Sequence, residues 1–528
     1  MNTTVMRRGA VLAASAGLAL GLAAPAVAAP PVKGSFDIRP EVVAADVELT
    51  NPMRGQYSWY DRNPTPDLLG PDHYDRMFWN EVESDDQEFD TWKIDAGLAR
   101  AEAAGGTYGF RIMSVCDWCS ADMIVLPEQL REDDGTWIAQ GQSGPLEIPD
   151  WNSEEFLSQW EELMDHLGQK YDGDPRLGWV DVGGYGNWGE WHSYPFESQY
   201  ETSPGGQTDI TLESSLRMIR AVEEAFPTTP IVLNTTGSRV ADAQGVPISD
   251  GESSFEWSNQ LWQGALGMDD RIGVRNDCLG AGLEQMHAKE GLEEASRYAQ
   301  EIGGHDPLER WRTAPVVSEW CGATKPPVDI DGNGVIDEWE RHDYTGDGIV
   351  EDWELEAPYG SFDKGLAQVE DWHVSLLSSD NYTGPLSAFP EQDQADFWEA
   401  NLRSGYRYQV DRVRGELKAG GASTFTTTWQ NVNVAPTYHD WDVVYELKRP
   451  GSDTVVASFT SEVELSTVLP GTVEVTDTFD TRDLKPGNYE LSIKVVDPEG
   501  YFTPMNLAIG GAQDDGSYLL LPKLQARR

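Results

Sequence analysis

Glu190 lies near the end of Gly183-Gly184-Tyr185-Gly186-Asn187-Trp188-Gly189-Glu190-Trp191-His192, a stretch that leaves the apolar run Leu177 to Val182. Its four glycines open backbone conformations closed to other residues. Tyr185, Trp188 and Trp191 are expected to surround the carboxyl with rings that stack on a sugar and desolvate an acid, an environment that raises a carboxyl pKa. The competing reading is a Gly/aromatic turn packed against its own core. A second carboxylate, Glu319, closes the apolar run Ala314 to Trp320 and is likewise followed by tryptophan. Arg111, Asn234, Arg275, Asp277 and Asn381 end other apolar runs.

These residues need a scaffold that brings strand ends together. Apolar strand-like runs are expected at Tyr57–Tyr60, Arg76–Glu83, Tyr108–Val115, Leu177–Val182, Ile231–Asn234, Ile272–Asp277, Ala314–Trp320 and Ser375–Asn381. Between them lie segments with helical spacing: Trp92 to Ala104 stopping at Gly105-Gly106, a helix capped by Ser153, and helices over Thr211–Phe226, Leu292–Ile302 and Phe362–Val374. Repeated strand-then-helix units predict an α/β fold, a (β/α)8 barrel with insertions over residues 29–404, with a doubly wound open sheet as the alternative. In a barrel the strand C-termini share one face, so Glu190, Asp277 and Glu319 converge. From residue 405 to 528 short alternating segments separated by Pro/Gly turns predict a C-terminal β-sandwich, structural or carbohydrate-binding in role.

Residues 1–28 read as a secretory signal: Arg7-Arg8, a small-apolar run, then Ala26-Val27-Ala28. No later stretch approaches the roughly 20 apolar residues of a spanning helix, so a secreted, extracellular product is expected with no membrane partner. The chain carries 38 Lys+Arg against 90 Asp+Glu, a formal charge of −52. That balance argues against nucleic acid and anionic membranes, and suits a high-salt medium. Four cysteines in an exported chain are expected to be oxidised. Cys278 and Cys321 follow neighbouring strands and are expected to pair, leaving Cys116 with Cys119; a zinc site using all four is the competing reading.

Residues 329–354 hold the most specific motif. Asp329, Asp331, Asn333, Asp337 and Glu340 occupy positions 1, 3, 5, 9 and 12 of an EF-hand-like loop, with glycine at 6 and Val335 offering a carbonyl at 7. Two residues later Asp343, Thr345, Asp347, Glu351 and Glu354 repeat the scheme with Ile349 at position 7. Two structural calcium ions are expected, held in compact repeats because the spacer is too short for ordinary EF-hand helices.

The stretch Arg76 to Arg111, with Phe78-Trp79-Asn80-Glu81-Val82-Glu83 and Phe89-Asp90-Thr91-Trp92, resembles the second and third strand region of clan A glycoside hydrolases. Asn51-Pro52-Met53-Arg54-Gly55, Gly189-Glu190-Trp191-His192 and Gly405-Tyr406-Arg407 resemble, more narrowly, secreted bacterial proteins built around the domains of unknown function 4874 and 4832. The clan A resemblance implies Glu190 as acid/base after strand 4 and Glu319 as nucleophile after strand 7. The clan places an asparagine that binds the substrate 2-hydroxyl directly before its acid/base; here that place is Gly189, with Asn187 or Asn234 as replacements. The resulting expectation is a retaining glycosidase acting on a poly- or oligosaccharide, with Arg275 and Arg111 keeping Glu319 ionised. Trp118, Trp188, Trp191, His192, Asn234, Arg111, Arg275, Asp277 and Trp320 would line the substrate site. A non-catalytic, calcium-stabilised carbohydrate-binding protein is the alternative, and a metallohydrolase using Asp277, His192 and cysteines a third.

Overall fold

The computed structural model describes residues 32–59, 70–117, 119, 123–133, 135–141, 143–193, 199, 208–234, 243–246, 254–280, 287–321, 324, 361–382 and 384–528. Residues 1–28, Trp118 and both calcium loops, 329–354, lie outside the described residues.

Eight parallel strands close into a barrel: β1 Gly55–Trp59, β2 His73–Phe78, β3 Tyr108–Met113, β4 Leu177–Val182, β5 Ile231–Asn234, β6 Ile272–Leu279, β7 Val316–Trp320 and β8 Leu376–Ser378. Each pairs with the next in sequence, and β8 returns to β1 through Leu376 opposite Gly55. The open-sheet alternative is thereby excluded. The second strand departs from its expected bounds: it begins at His73, and Trp79–Glu81 form a single 3-10 turn closed by Glu81 on the Phe78 amide.

The outer helices are α1 Trp92–Ala104, α2 Glu154–Tyr171, α3 Leu212–Ala225, α4 Glu256–Leu266, α5 His287–Ile302, α6 Phe362–Asp371 and α7 Glu391–Arg403. Local chemistry sets their ends. Ser153 accepts from the Phe156 amide and Thr211 from the Ser214 amide, satisfying amide groups left open at a helix start, while Gly105 takes φ 74° to end α1. On α2 the buried face is Phe156, Leu157, Trp160, Leu163, Met164 and Leu167, the 3.6-residue period that packs a helix on a barrel.

Inside the barrel the two-residue period of each strand sorts side chains into layers. The lower layer is apolar and aromatic: Tyr57, Tyr74, Trp179, Val232, Val317 and Leu376. Trp179 fits because residue 109 opposite is glycine; a Cβ there would come within 2.0 Å of the indole. Two residues further along β2, β4, β5 and β7 stand Arg76, Asp181, Asn234 and Glu319; on β6 Arg275 lies opposite Asn234, with Asp277 two residues beyond it.

Beyond the barrel, strands 442–448, 455–460, 487–496 and 518–526 form one sheet, and 408–416, 422–431 and 471–480 form another. The two share a core that includes Val413, Phe425 and Trp429 from one and Tyr445, Leu491 and Ile493 from the other. The segment Ser35–Ile38 adds an antiparallel strand to the second sheet, on Val413–Glu416. The sheets rest on the barrel through Tyr501, which donates to Gly106 O (2.8 Å), and through Tyr438, which donates to Trp311 O (2.7 Å).

Candidate active site

The Glu190 turn is tied to the end of β3. The Gly184 amide donates to Ile112 O (2.9 Å), the Trp188 amide to Val115 O (2.9 Å), and Asn187 Oδ1 accepts from the Asp117 amide (2.9 Å). Gly184, Gly186, Trp188, Gly189 and Trp191 all have φ between 54° and 82°, a left-handed path that glycine follows without strain. This path lifts Glu190 over the barrel mouth, where it remains 14 % exposed.

Carboxylate oxygens of Glu190, Asp277 and Glu319 lie within 4.8 Å of one another. Three guanidiniums run through them. Arg76 donates from Nη1 to Glu190 Oε1 (2.6 Å) and from Nη2 to Glu319 Oε2 (2.9 Å) and Asp277 Oδ2 (3.2 Å), its guanidinium carbon 4.7 Å from the centre of the Trp59 ring. Arg111 donates to Asp181 Oδ2 and Asp277 Oδ2, both at 2.8 Å. Arg275 reaches Glu319 Oε2 at 2.5 Å and also bonds Asp277 Oδ1. Asn381 Nδ2 donates to Glu319 Oε1 (3.0 Å), and Asn234 Nδ2 to Asp277 Oδ2 (2.7 Å).

Electrostatics separate the acids. Burial raises Asp277, but Arg111, Arg275 and Arg76 outweigh it and hold this carboxyl well below the usual range. Glu319 is pushed up to about 8, chiefly by burial, with Asp277 and Glu190 adding to the effect of burial and Arg76 and Arg275 opposing it. The expectation that Arg275 and Arg111 keep Glu319 ionised is therefore corrected twice: Arg111 binds Asp181 and Asp277, Arg76 takes its place at Glu319, and loss of hydration exceeds the gain from both cations. Four carboxyls face three guanidiniums, so one proton neutralises the cluster.

Other expectations hold or fail by strand alternation. His192 Nε2 lies 3.7 Å from Glu190 Oε2, and the half-buried Trp188 ring packs edge-on to His192. His192 thus sits beside the acid, with Trp188 packed on it. Trp191 does not: fully buried, it donates from Nε1 to Val182 O (2.7 Å) and packs on Tyr185 and Trp257. Tyr185 is equally buried, its hydroxyl on Asp209. Trp320 follows an inward-facing Glu319, so it points out of the barrel and packs on Phe362 and Phe397. Asp277 is no free ligand for a substrate, since both its oxygens are taken. Arg76 and Asp181 were missing from the expected site. Each is a charged residue two positions after an inward aromatic, Tyr74 or Trp179, on the same strand, and that alternation is the signal that could have found them.

The cysteines pair as expected, Cys116 with Cys119 and Cys278 with Cys321, at Cα separations of 5.4 and 4.0 Å. This removes the zinc and cysteine-metallohydrolase readings. Among the described residues one acidic group, Glu190, Asp277 and Glu319, has the spacing to hold a metal ion, and each of its carboxylates is bonded by at least one of the three arginines.

No family model matches the sequence and no curated protein is similar to it. Among solved structures the chain is similar to the catalytic domain of a β-amylase from Paenibacillus polymyxa (TM-score 0.39, 11% identity, 66% of this chain and 98% of that one). It is also similar to endo-glycoceramidase II from Rhodococcus sp. (0.35, 12%, 83% and 98%) and to xylanase 10B from Thermotoga maritima (0.37, 10%, 66% and 94%). At such scores the fold assignment rests on this chain's own eight-strand register.

Proposed function

We propose that the protein is a secreted glycoside hydrolase of retaining mechanism, acting on a poly- or oligosaccharide, with Glu190 as acid/base and Glu319 as nucleophile. The observation that carries this reading is the approach of two carboxylates from the ends of β4 and β7 to within 4.8 Å. That is nearer the spacing of about 5–5.5 Å suited to retention than the roughly 6.5–9.5 Å that leaves room for an attacking water. The clan A resemblance of the Arg76 to Arg111 region points the same way.

In the first step Glu190 gives its proton to the glycosidic oxygen as the C–O bond breaks, and a Glu319 oxygen bonds to the anomeric carbon. In the second, Glu190 takes a proton from water, whose oxygen displaces Glu319. The chemistry requires one proton on the pair, which is the number that neutralises four carboxyls against three guanidiniums. In the unliganded protein burial favours that proton on Glu319, so turnover requires its passage to Glu190 and movement of Arg76 from between them. Trp188 and His192, partly exposed beside Glu190, are the groups available to touch the sugar.

Arg76, bonded to both glutamates, also favours the second reading, a carbohydrate-binding protein without catalysis. A panel of plant and microbial polysaccharides with released sugars identified separates the two. Turnover lost in both Glu190→Gln and Glu319→Gln with saccharide binding kept supports the hydrolase; binding without release of sugar by the wild type supports the alternative.

We further propose that residues 329–354 hold two structural calcium ions, on the donor pattern of the two loops. The two disulfides support export, as expected of residues 1–28, and among the described residues no helix is long and apolar enough to cross a membrane. The two sheets with their common core fit a β-sandwich that buttresses the barrel.

A further inference from the structure

Asn381 lies three residues beyond β8 with φ 87°, a left-handed conformation uncommon outside glycine and pointing to a local role. The turn that carries it is fastened to the strands on both sides. The Ser379 amide donates to Tyr57 O on β1 (3.0 Å), the Trp320 amide on β7 donates to Ser378 Oγ (3.0 Å), and Ser378 Oγ donates to Asp380 O (2.6 Å). Trp320 and Tyr382, which follow Glu319 and Asn381, both pack on Phe362 and Phe397 outside the barrel. One aromatic cluster thus draws the two preceding polar side chains to the same point of the mouth.

Asn381 Nδ2 donates to Glu319 Oε1 and to Trp320 O, both at 3.0 Å. A backbone carbonyl only accepts, so this end of the amide is the nitrogen and both its hydrogens are committed. The amide clamps the Glu319 side chain to the backbone of the next residue. It also leaves the two carboxyl oxygens unequal. Oε2 accepts from Arg76 (2.9 Å) and Arg275 (2.5 Å), which fills both its lone pairs, whereas among the described residues Asn381 is the one partner of Oε1. We infer that Asn381 is the positioning residue of the nucleophile, holding Glu319 so that Oε1, with a lone pair left over, is the oxygen that bonds to the anomeric carbon. When Arg76 moves aside for a saccharide, Arg275, fully buried and bonded also to Asp277, stays on Oε2. The bond from a guanidinium is the stronger of the two kinds, so Oε2 remains the poorer nucleophile.

The inference rests on the hydrolase reading of the site and is tested so that the two fail separately. Asn381→Gly removes the amide and keeps a residue suited to this backbone; Asn381→Asp keeps the shape, replaces the donor by an acceptor, and carries the test if the glycine variant does not fold. Each is compared with the wild type on a saccharide cleaved in the polysaccharide screen, by kcat and KM across pH, affinity for the released sugar by calorimetry, and melting temperature. Asn381→Gly is expected to lower kcat about 10²-fold with affinity for the released sugar unchanged, and Asn381→Asp to lower it further. The basic limb of kcat/KM reports on Glu319 directly. A donor on a carboxylate favours its charged form, and a second carboxylate disfavours it, so the limb should move to higher pH from wild type to Asn381→Gly to Asn381→Asp. Full activity in Asn381→Gly, or a loss that follows melting temperature or sugar affinity with the limb unmoved, overturns the inference and leaves the hydrolase standing. A wild type that releases no sugar from any member of the panel overturns both.

Discussion

Arg275 Nη2 donates to Glu319 Oε2 at 2.5 Å, yet the Glu319 carboxyl is pushed up to about 8. The cation at contact distance does not restore what full burial removes, because Asp277 and Glu190 add negative charge to the same small volume.

The pH dependence follows. The folded state holds the Glu319 proton up to about 8, whereas the unfolded chain releases it near 4.5. Between these values the native state binds more protons, so stability falls as pH rises, with a slope of at most about 1.4 kcal/mol per pH unit from this group. Denaturant melts from pH 5 to 8 should show the decline in the wild type and a flatter profile in Glu319→Gln. Once the proton leaves above about 8 the pair has no acid, and kcat/KM should decrease there. A rate that keeps rising past pH 9 contradicts the one-proton assignment.

Stereochemistry checks the carboxylate spacing. Proton NMR of freshly released sugar should show the anomer of the substrate. Release of the opposite anomer would make the close pair irrelevant to the attacking step. Loss of the acid/base is expected to lower the rate about 10²–10⁴-fold.

Arg111 and Asp181 form a fully buried pair, each side chain 0 % exposed. Arg111→Met leaves Asp181 and Asp277 with less positive charge and should destabilise the fold by about 3–5 kcal/mol. Adding Asp181→Asn should recover part of the loss. An Arg111→Met protein that melts with the wild type would show that this charge layer is dispensable.

Trp191→Ala should destabilise by about 3–5 kcal/mol through a core cavity, with saccharide affinity little changed in whatever remains folded. Trp188→Ala should do the reverse, weakening sugar binding with a small change in melting temperature. Titration calorimetry and thermal melts on the two variants distinguish these roles.

Calcium should raise the melting temperature by mass action, and chelator or Asp329→Ala/Asp343→Ala should lower it and expose residues 329–354 to proteolysis. Equal melting and cleavage patterns with and without calcium would mark the segment as an acidic linker.

The sequence by itself determined the order of the eight barrel strands and of five helices among them, but not the helices Glu256–Leu266 and Glu391–Arg403. Apolar runs alternate with helical periods punctuated by Ser153, Thr211 and Gly105, and these are local signals that depend on residues three or four apart. It also located Glu190, Glu319 and Asp277 at strand ends and paired Cys278 with Cys321 across neighbouring strands. Only the tertiary structure decided which way a ring faces. Trp188 and Trp191 are both aromatic residues in one turn, yet one is half-buried against His192 and the other is buried on Trp257, because left-handed backbone at both positions reverses the chain in a way composition does not encode. The charges of the cluster were equally beyond local reading. Arg76 meets Glu190, Asp277 and Glu319 across 114, 201 and 243 residues of chain, and barrel closure, which brings β2, β4, β6 and β7 around one mouth, sets both the partners of each guanidinium and the carboxyl that keeps the proton.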